Sequence, residues 1–405
     1  MTKLAVISVD GHVKASRAGY RDYVEAKYLD DFDAWAASMD GMPDAGNKNP
    51  KLPDESQWDS DLRLEHLDAQ GVAAEVLFPN GLAFVNVRFQ DAVASDDPEL
   101  AREGRRAYNR WLADFCAQAP GRRAGQAVVS FDDIDEAIEE IHWAKDHGLG
   151  GIAMPALQPG GTYFFDERLD PIWAAIQDVE LIVSQHGGSG LPDDYPPGFA
   201  AIMAIALEQS FFSGRSMWQL MIGGVFERFP GLRYALVETM VDWVPGTLRF
   251  MDGLAARSDW MEFARMMGRE PTMKRLPSEY WATNCFAGSS PPARIEYEMR
   301  YELGVDNMMF GVDYPHFESI WPVTKETVQG TLGWIGVPEP EARKILVENP
   351  ARAYGFDLDA LAPVIDRVGF EVDELLDPSN ADPGGGGIGL HRPGHAPLQR
   401  NVMFR

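Results

Sequence analysis

The sequence is poor in cysteine, in basic residues and in long apolar runs, and each shortage removes a class of protein. Only Cys116 and Cys285 occur in 405 residues. They cannot build a disulfide framework and lack CxxC spacing, which points to a reducing compartment. Lys and Arg total 36 against 62 Asp and Glu, a formal net charge of -26. Such a surface repels phosphate backbones and anionic membranes, so neither nucleic acid nor membrane is an expected partner. No apolar run reaches the length of about 18 residues that spans a bilayer, and Met1-Thr2-Lys3 leads straight into a strand pattern rather than a cleavable segment. The expectation is a cytoplasmic enzyme. No G-x-G-x-x-G follows the first strand, which argues against an open dinucleotide-binding sheet.

What is present is a core former with 45% hydrophobic and 11% aromatic residues. Apolar strands are predicted at 4–10, 73–78, 126–130, 151–154, 181–185, 234–238, 281–286 and 308–311. Between them lie helical patterns at 61–70, 98–118, 132–147, 169–179 and 291–303. Asp132-Asp133 ahead of Ile134 gives one helix an acidic start, and Gly148 gives it a stop. Strands alternating with helices imply a parallel α/β sheet, and eight repeats permit a (β/α)8 barrel. The barrel is expected over residues 1–356, with a lid-like insertion at 15–57. Residues 357–405 read as a C-terminal helix and a Gly/Pro-rich tail, either disordered or an arm on a neighbouring subunit.

The chemistry-bearing residues fall where the strands end. Leu4-Ala5-Val6-Ile7-Ser8-Val9-Asp10-Gly11-His12 closes on a carboxylate and an imidazole two residues apart, the spacing that puts both on one face of a strand. Strand five closes in His186-Gly187-Gly188, strand six in Glu238, and strand eight in Asp313-Tyr314-Pro315-His316. In a barrel all these ends share one face. Asp10, His12, His186, Glu238, Asp313 and His316 would then converge, offering nitrogen and oxygen donors that suit zinc, manganese or iron. His66, His142 and His147 sit within helical patterns and read as packing or surface residues. Arg215, Trp218, Tyr163 and Phe164 fall in segments that could overhang the mouth and are candidate substrate contacts.

From Leu4 to Phe356, including 63–79, 107–119 and the closing Asn349-Pro350-Ala351-Arg352-Ala353-Tyr354-Gly355-Phe356, the chain resembles the amidohydrolase superfamily in its amidohydrolase-related branch. That branch contains aminocarboxymuconate-semialdehyde decarboxylase and γ-resorcylate decarboxylase. The resemblance implies a (β/α)8 barrel holding a divalent metal through Asp10, His12, His186 and Asp313. One position departs from the pattern: Glu238 stands where the decarboxylases carry a catalytic His after strand six. A carboxylate replaces such an imidazole as a proton carrier near neutral pH only if burial raises its pKa. Strand four ends in Ala153-Met154-Pro155, without the Lys of the carboxylated-lysine dinuclear hydrolases.

The first expectation is therefore a metal-dependent hydrolase, zinc preferred and manganese or iron as alternatives, acting on a small organic substrate that is cyclic or aromatic. Asp313 would be a metal ligand and general base, Glu238 would orient or deprotonate water, and His316 would donate a proton or orient Asp313. A non-oxidative decarboxylase and a metal-dependent oxygenase with a dinuclear site containing Glu238 are the alternatives. A barrel that stabilises an active homologue without catalysis is a further reading, which the intact ligand set disfavours. The tail and the resemblance both favour a homo-oligomer, a dimer or larger, with a homologous subunit as a second option.

Overall fold

The computed structural model describes residues 3–41, 48–84, 97–155, 162–192, 195–270 and 272–380. Eight parallel strands form the frame: β1 (Val6–Ser8), β2 (Val72–Pro79), β3 (Arg123–Val128), β4 (Gly151–Ala153), β5 (Ile182–His186), β6 (Arg233–Val237), β7 (Cys285–Ser289) and β8 (Met308–Phe310). Each pairs with the next in sequence order, from β1 to β8. The ring closes between β8 and β1. Val9 N donates to the Phe310 carbonyl at 3.0 Å, Asp313 N to the Asp10 carbonyl at 2.9 Å, and Gly11 bridges to Tyr314 in parallel. The Ser8 hydroxyl accepts from Val312 N at 2.9 Å, so part of this seam runs through a side chain. The result is the expected (β/α)8 barrel.

Strands covered by helices on one side and barrel interior on the other need apolar residues on both faces, and β2 is buried at every position. The helical predictions hold with small shifts. Asp133 caps the helix Ile134–Asp146 by accepting from Glu136 N at 3.1 Å, and Gly148 ends that turn with φ +76°. The largest boundary difference is at the seventh strand, predicted from Trp281. Residues Pro277–Asn284 are helical and the strand begins at Cys285. Pro277 at the first turn, with the Glu279 carboxylate accepting from Leu276 N at 2.7 Å, starts a helix whose buried Trp281 mimics a strand residue in sequence.

The insertion after β1 carries turns at Ala18–Tyr23 and Ala26–Tyr28 and the helix Leu29–Ser38. It lies against the strand ends: the Tyr20 hydroxyl donates to the Gly81 carbonyl at 2.6 Å, and Asn49 N to the Pro315 carbonyl at 2.7 Å. At the opposite end of the barrel, Phe370–Glu371 follows the helix Leu358–Val368 and pairs antiparallel with Lys3–Leu4. The Gly/Pro-rich tail at 381–405, with His391 and His395, lies outside the described residues.

Candidate metal centre

Asp10 and His12 do not share one regular strand. β1 ends at Ser8, the chain turns through Gly11, and His12–Val13 is a separate short strand beside the end of β2. They converge all the same, because Arg63 clamps the break from beneath. This fully buried guanidinium donates to the His12 carbonyl at 3.0 Å, the Ser56 carbonyl at 3.2 Å and the Tyr314 carbonyl at 3.2 Å. Its charge is met by Glu75 on β2 at 2.8 and 2.9 Å. A Cβ on Gly11 would stand 3.1 Å from Arg63 Nη2, so the missing side chain leaves room for the clamp.

Six predicted residues meet at the C-terminal mouth. Asp10 Oδ1 lies 3.1 Å from His186 Nε2 and 3.3 Å from His12 Nε2, while Asp313 Oδ1 lies 3.4 Å from His12 Nε2. His186 Nδ1 is 3.2 Å from Glu238 Oε2, and His316 Nδ1 is 2.9 Å from Asp313 Oδ1. Ligand atoms bonded at about 2.1 Å to one cation stand roughly 3.0–3.4 Å apart in tetrahedral or octahedral geometry. The contacts around Asp10, His12 and Asp313 have those spacings.

The donor atoms are also turned the right way. His12 Nδ1 donates to the Pro79 carbonyl at 3.4 Å and His186 Nδ1 to the Gly187 carbonyl at 3.0 Å, which leaves each Nε2 lone pair facing the carboxylates. Ser290 donates to Asp10 Oδ2 at 2.5 Å, fixing the carboxylate plane. Asp313 is fully buried and neither of its oxygens has a hydrogen-bond partner. A buried carboxylate left so costs several kcal/mol unless a cation compensates it. The residues therefore fit a divalent metal.

Electrostatics describe the same crowding. Burial works against an ionised Asp10, yet His186 and His12 outweigh it and hold the carboxyl well below its usual range. Burial likewise opposes a charged His12, but with no cation between them the neighbouring carboxylates of Asp10 and Asp313 raise it to about 9. Burial, then the charges of Asp313 and Asp10, push Glu238 well above the usual carboxylate range. That meets the condition set for a carboxylate replacing an imidazole, although a bound dication would act in the opposite direction. Glu238 and Asp313 both take positive φ, 56° and 59°, unusual for residues with side chains. Gly187 makes room for the first: a Cβ there would stand 2.1 Å from the Glu238 carbonyl oxygen.

Glu318 belongs to the cluster and was missed in sequence. Its carboxylate joins Glu238, Asp313 and His316 with ligand atoms all within 4.8 Å of one another. The signal was an acid two residues after His316, in a loop where no strand-end rule applied. The suggested substrate contacts lie outside the cluster. Tyr163 is half exposed and stacked on Phe165, and Trp218 on the helix Phe199–Ile222 packs edge-on to Trp243, with Arg215 one turn earlier. His66 has a packing role, its Nδ1 2.7 Å from the Tyr314 hydroxyl, while His142 and His147 are exposed. No helix of the described residues is long and apolar enough to cross a membrane.

An eight-stranded parallel barrel with metal-competent side chains gathered at its C-terminal mouth defines a barrel enzyme of the metal-dependent kind. The family is settled by sequence: the amidohydrolase family model matches residues 9–356, and the chain belongs to that family. γ-Resorcylate decarboxylase of Rhodococcus jostii (strain RHA1) is 26% identical over 299 residues, covering 69% of this chain and 86% of that one. Among solved structures, 5-carboxyvanillate decarboxylase of Novosphingobium aromaticivorans DSM 12444, with manganese and 4-hydroxy-3-methoxy-5-nitrobenzoic acid, superposes with TM-score 0.63 at 19% identity. It covers 87% of this chain and 96% of its own. A dihydroxybenzoic acid decarboxylase of Polaromonas sp. JS666, with manganese and 2-nitroresorcinol, gives TM-score 0.61 at 19% identity, over 87% and 97%.

Proposed function

We propose that this enzyme is a divalent-metal-dependent, non-oxidative decarboxylase of a small aromatic acid bearing a hydroxyl beside its carboxylate. This is the second of the sequence-based expectations, and it replaces hydrolysis as the preferred reading. The observation that carries it is the run of contacts from His186 to Asp10 at 3.1 Å, Asp10 to His12 at 3.3 Å and His12 to Asp313 at 3.4 Å, in a chain whose curated relatives are γ-resorcylate decarboxylases. Manganese is the preferred metal because related barrels hold it, ahead of zinc.

The reaction exchanges a carboxylate for a proton: ArCOO⁻ plus H⁺ gives ArH and CO₂. A bound divalent metal would supply positive charge that attracts the anionic substrate. Asp10, His12, His186 and Asp313 hold that charge in place. The ring carbon losing CO₂ must be protonated, and the proton carriers on the open side are Glu238, His316 and Glu318. Glu238 is the first choice, since its side chain is 16% exposed whereas Asp10 and Asp313 are closed off. Tyr163, Arg215 and Trp218 are assigned to the outer wall that receives the ring.

The test is CO₂ release from a panel of 2-hydroxybenzoates by manganese-loaded protein, run in D₂O. The expected product carries one deuterium at the former carboxyl carbon. Products labelled from H₂¹⁸O on ester, amide or ring-opening substrates, without CO₂ release from the panel, would overturn this reading in favour of hydrolysis.

A further inference from the structure

We propose that Glu296, a buried carboxylate outside the metal centre, is a positioning residue: it fixes the turn that carries Glu238 and so sets where the proton is delivered. This deepens the decarboxylase reading and rests on Glu238 as the proton carrier.

The turn needs holding from outside. Glu238 and Met240 have φ of 56° and 50°, so two residues with side chains lie in the left-handed region within three positions. Such backbone persists only where the surroundings over-determine it. Glu238 N donates to the Gly288 carbonyl on β7 at 3.4 Å. The Thr239 carbonyl accepts from Trp243 Nε1 at 3.1 Å and from the Ser210 hydroxyl. Val241 N, directly after the strained pair, donates to Glu296 Oε1 at 2.8 Å.

The placement of Glu296 exceeds what a helix cap requires. It is the third residue of the helix Arg294–Glu298, and its Oε2 accepts from Ala293 N at 2.9 Å. A capping glutamate needs one oxygen for that bond and is at home in water. Glu296 is instead 1% exposed, and its other oxygen reaches back 55 residues along the chain to Val241. Ser289, the last residue of β7, also donates its hydroxyl to Oε2. Burial raises the pKa of Glu296 even though these three donors oppose the shift, a cost that an exposed cap would avoid. One other route from Glu296 to the chemistry exists, since Ser290, next to Ser289, donates to Asp10 Oδ2 at 2.5 Å. Metal affinity separates the two routes.

The experiment measures kcat and KM for CO₂ release from the 2-hydroxybenzoate panel by manganese-loaded Glu296→Gln. Glu279→Gln is the control, because Glu279 caps the helix Pro277–Asn284 through Leu276 N at 2.7 Å but is exposed. Gln keeps the size of the side chain and sets an amide donor against either Val241 N or Ala293 N. In Glu296→Gln, kcat should fall at least about tenfold with KM within about twofold of wild type, the pattern of an interaction felt only in the transition state. Glu279→Gln should keep both. Glu296→Asp, which retains the charge but not the reach, is the second variant and should show the same split. Mn²⁺ affinity by equilibrium dialysis should be unchanged in Glu296→Gln, and amide exchange of the peptide 238–243, followed by mass spectrometry, should quicken there and not in the control. In a Glu238→Asp background the further loss from Glu296→Gln should shrink to within about twofold. An equal fall in Glu279→Gln, a loss of Mn²⁺ affinity, a Glu296→Gln loss that multiplies in full with Glu238→Asp, or unchanged exchange in the turn would each overturn the proposal. If the wild-type chain releases no CO₂ from the panel, the decarboxylase reading fails by itself, and exchange in the turn still decides whether Glu296 holds it.

Discussion

Replacing Glu75 by Gln should destabilise the whole barrel, although the change is isosteric and touches no candidate ligand. Glu75 is 2% exposed and lies between two buried guanidiniums, Arg63 at 2.8 Å and Arg123 at 3.5 Å. The amide keeps the shape but removes the counter-charge of both and turns donors toward donors. Removing one partner of a buried ion pair costs about 3–5 kcal/mol. Unfolding entropy near 2.1 cal/mol/K per residue gives a chain of this size about 0.8 kcal/mol/K, so the midpoint should fall by roughly 5 °C. The assay is a thermal melt by calorimetry, with Arg63→Met as the second arm. That variant leaves Glu75 beside Arg123, so the Glu75→Gln cost should shrink by at least about 1 kcal/mol in its background. A Glu75→Gln midpoint within a degree of wild type would refute the reasoning, since it would mean the carboxylate carries no essential charge.

Three further outcomes are expected. Gly187→Ala should displace the Glu238 backbone, because the added methyl would stand 2.1 Å from its carbonyl oxygen; a loss of at least about tenfold in catalysis, with folding retained by circular dichroism, is the reading to check. Manganese at about 100 times its dissociation constant should stabilise the folded chain by about 2.7 kcal/mol, roughly 3 °C, and His186→Ala should abolish most of that shift in a thermal melt. Asp68 is opposed by burial, yet Arg367 and Arg122 outweigh this and lower its pKa. Its stabilising share is present above the unfolded value near about 3.9 and is lost as pH falls through the lower folded value. Asp68→Asn should therefore melt slightly below wild type at neutral pH, and the gap should close in acid.

The fold was legible because the barrel strands are largely buried on both faces and so read as mostly apolar runs, as in Ala73–Phe78, where Glu75 is the one charged residue. The seventh strand was misplaced because Trp281, in the last turn of a capped helix, is as apolar and as buried as a strand residue. At the mouth, Asp10, His186 and Asp313 could be read from their places at strand ends. Glu318 and Ser290 could not: both lie in loops, and only the folded path sets Ser290 2.5 Å from Asp10. Nor could the sequence tell that the freedom of Gly187 serves a neighbouring backbone. The close approach there is by Glu238.

The closing seam has a temporal meaning. Asp10 and Asp313 meet through a backbone hydrogen bond just beyond the ends of β1 and β8, across about three quarters of the chain. A growing polypeptide on the ribosome therefore owns Asp10 and His12 long before it owns their partners. If the proposed set holds a cation, its complete form exists only after synthesis has run past Asp313 and the ring has shut.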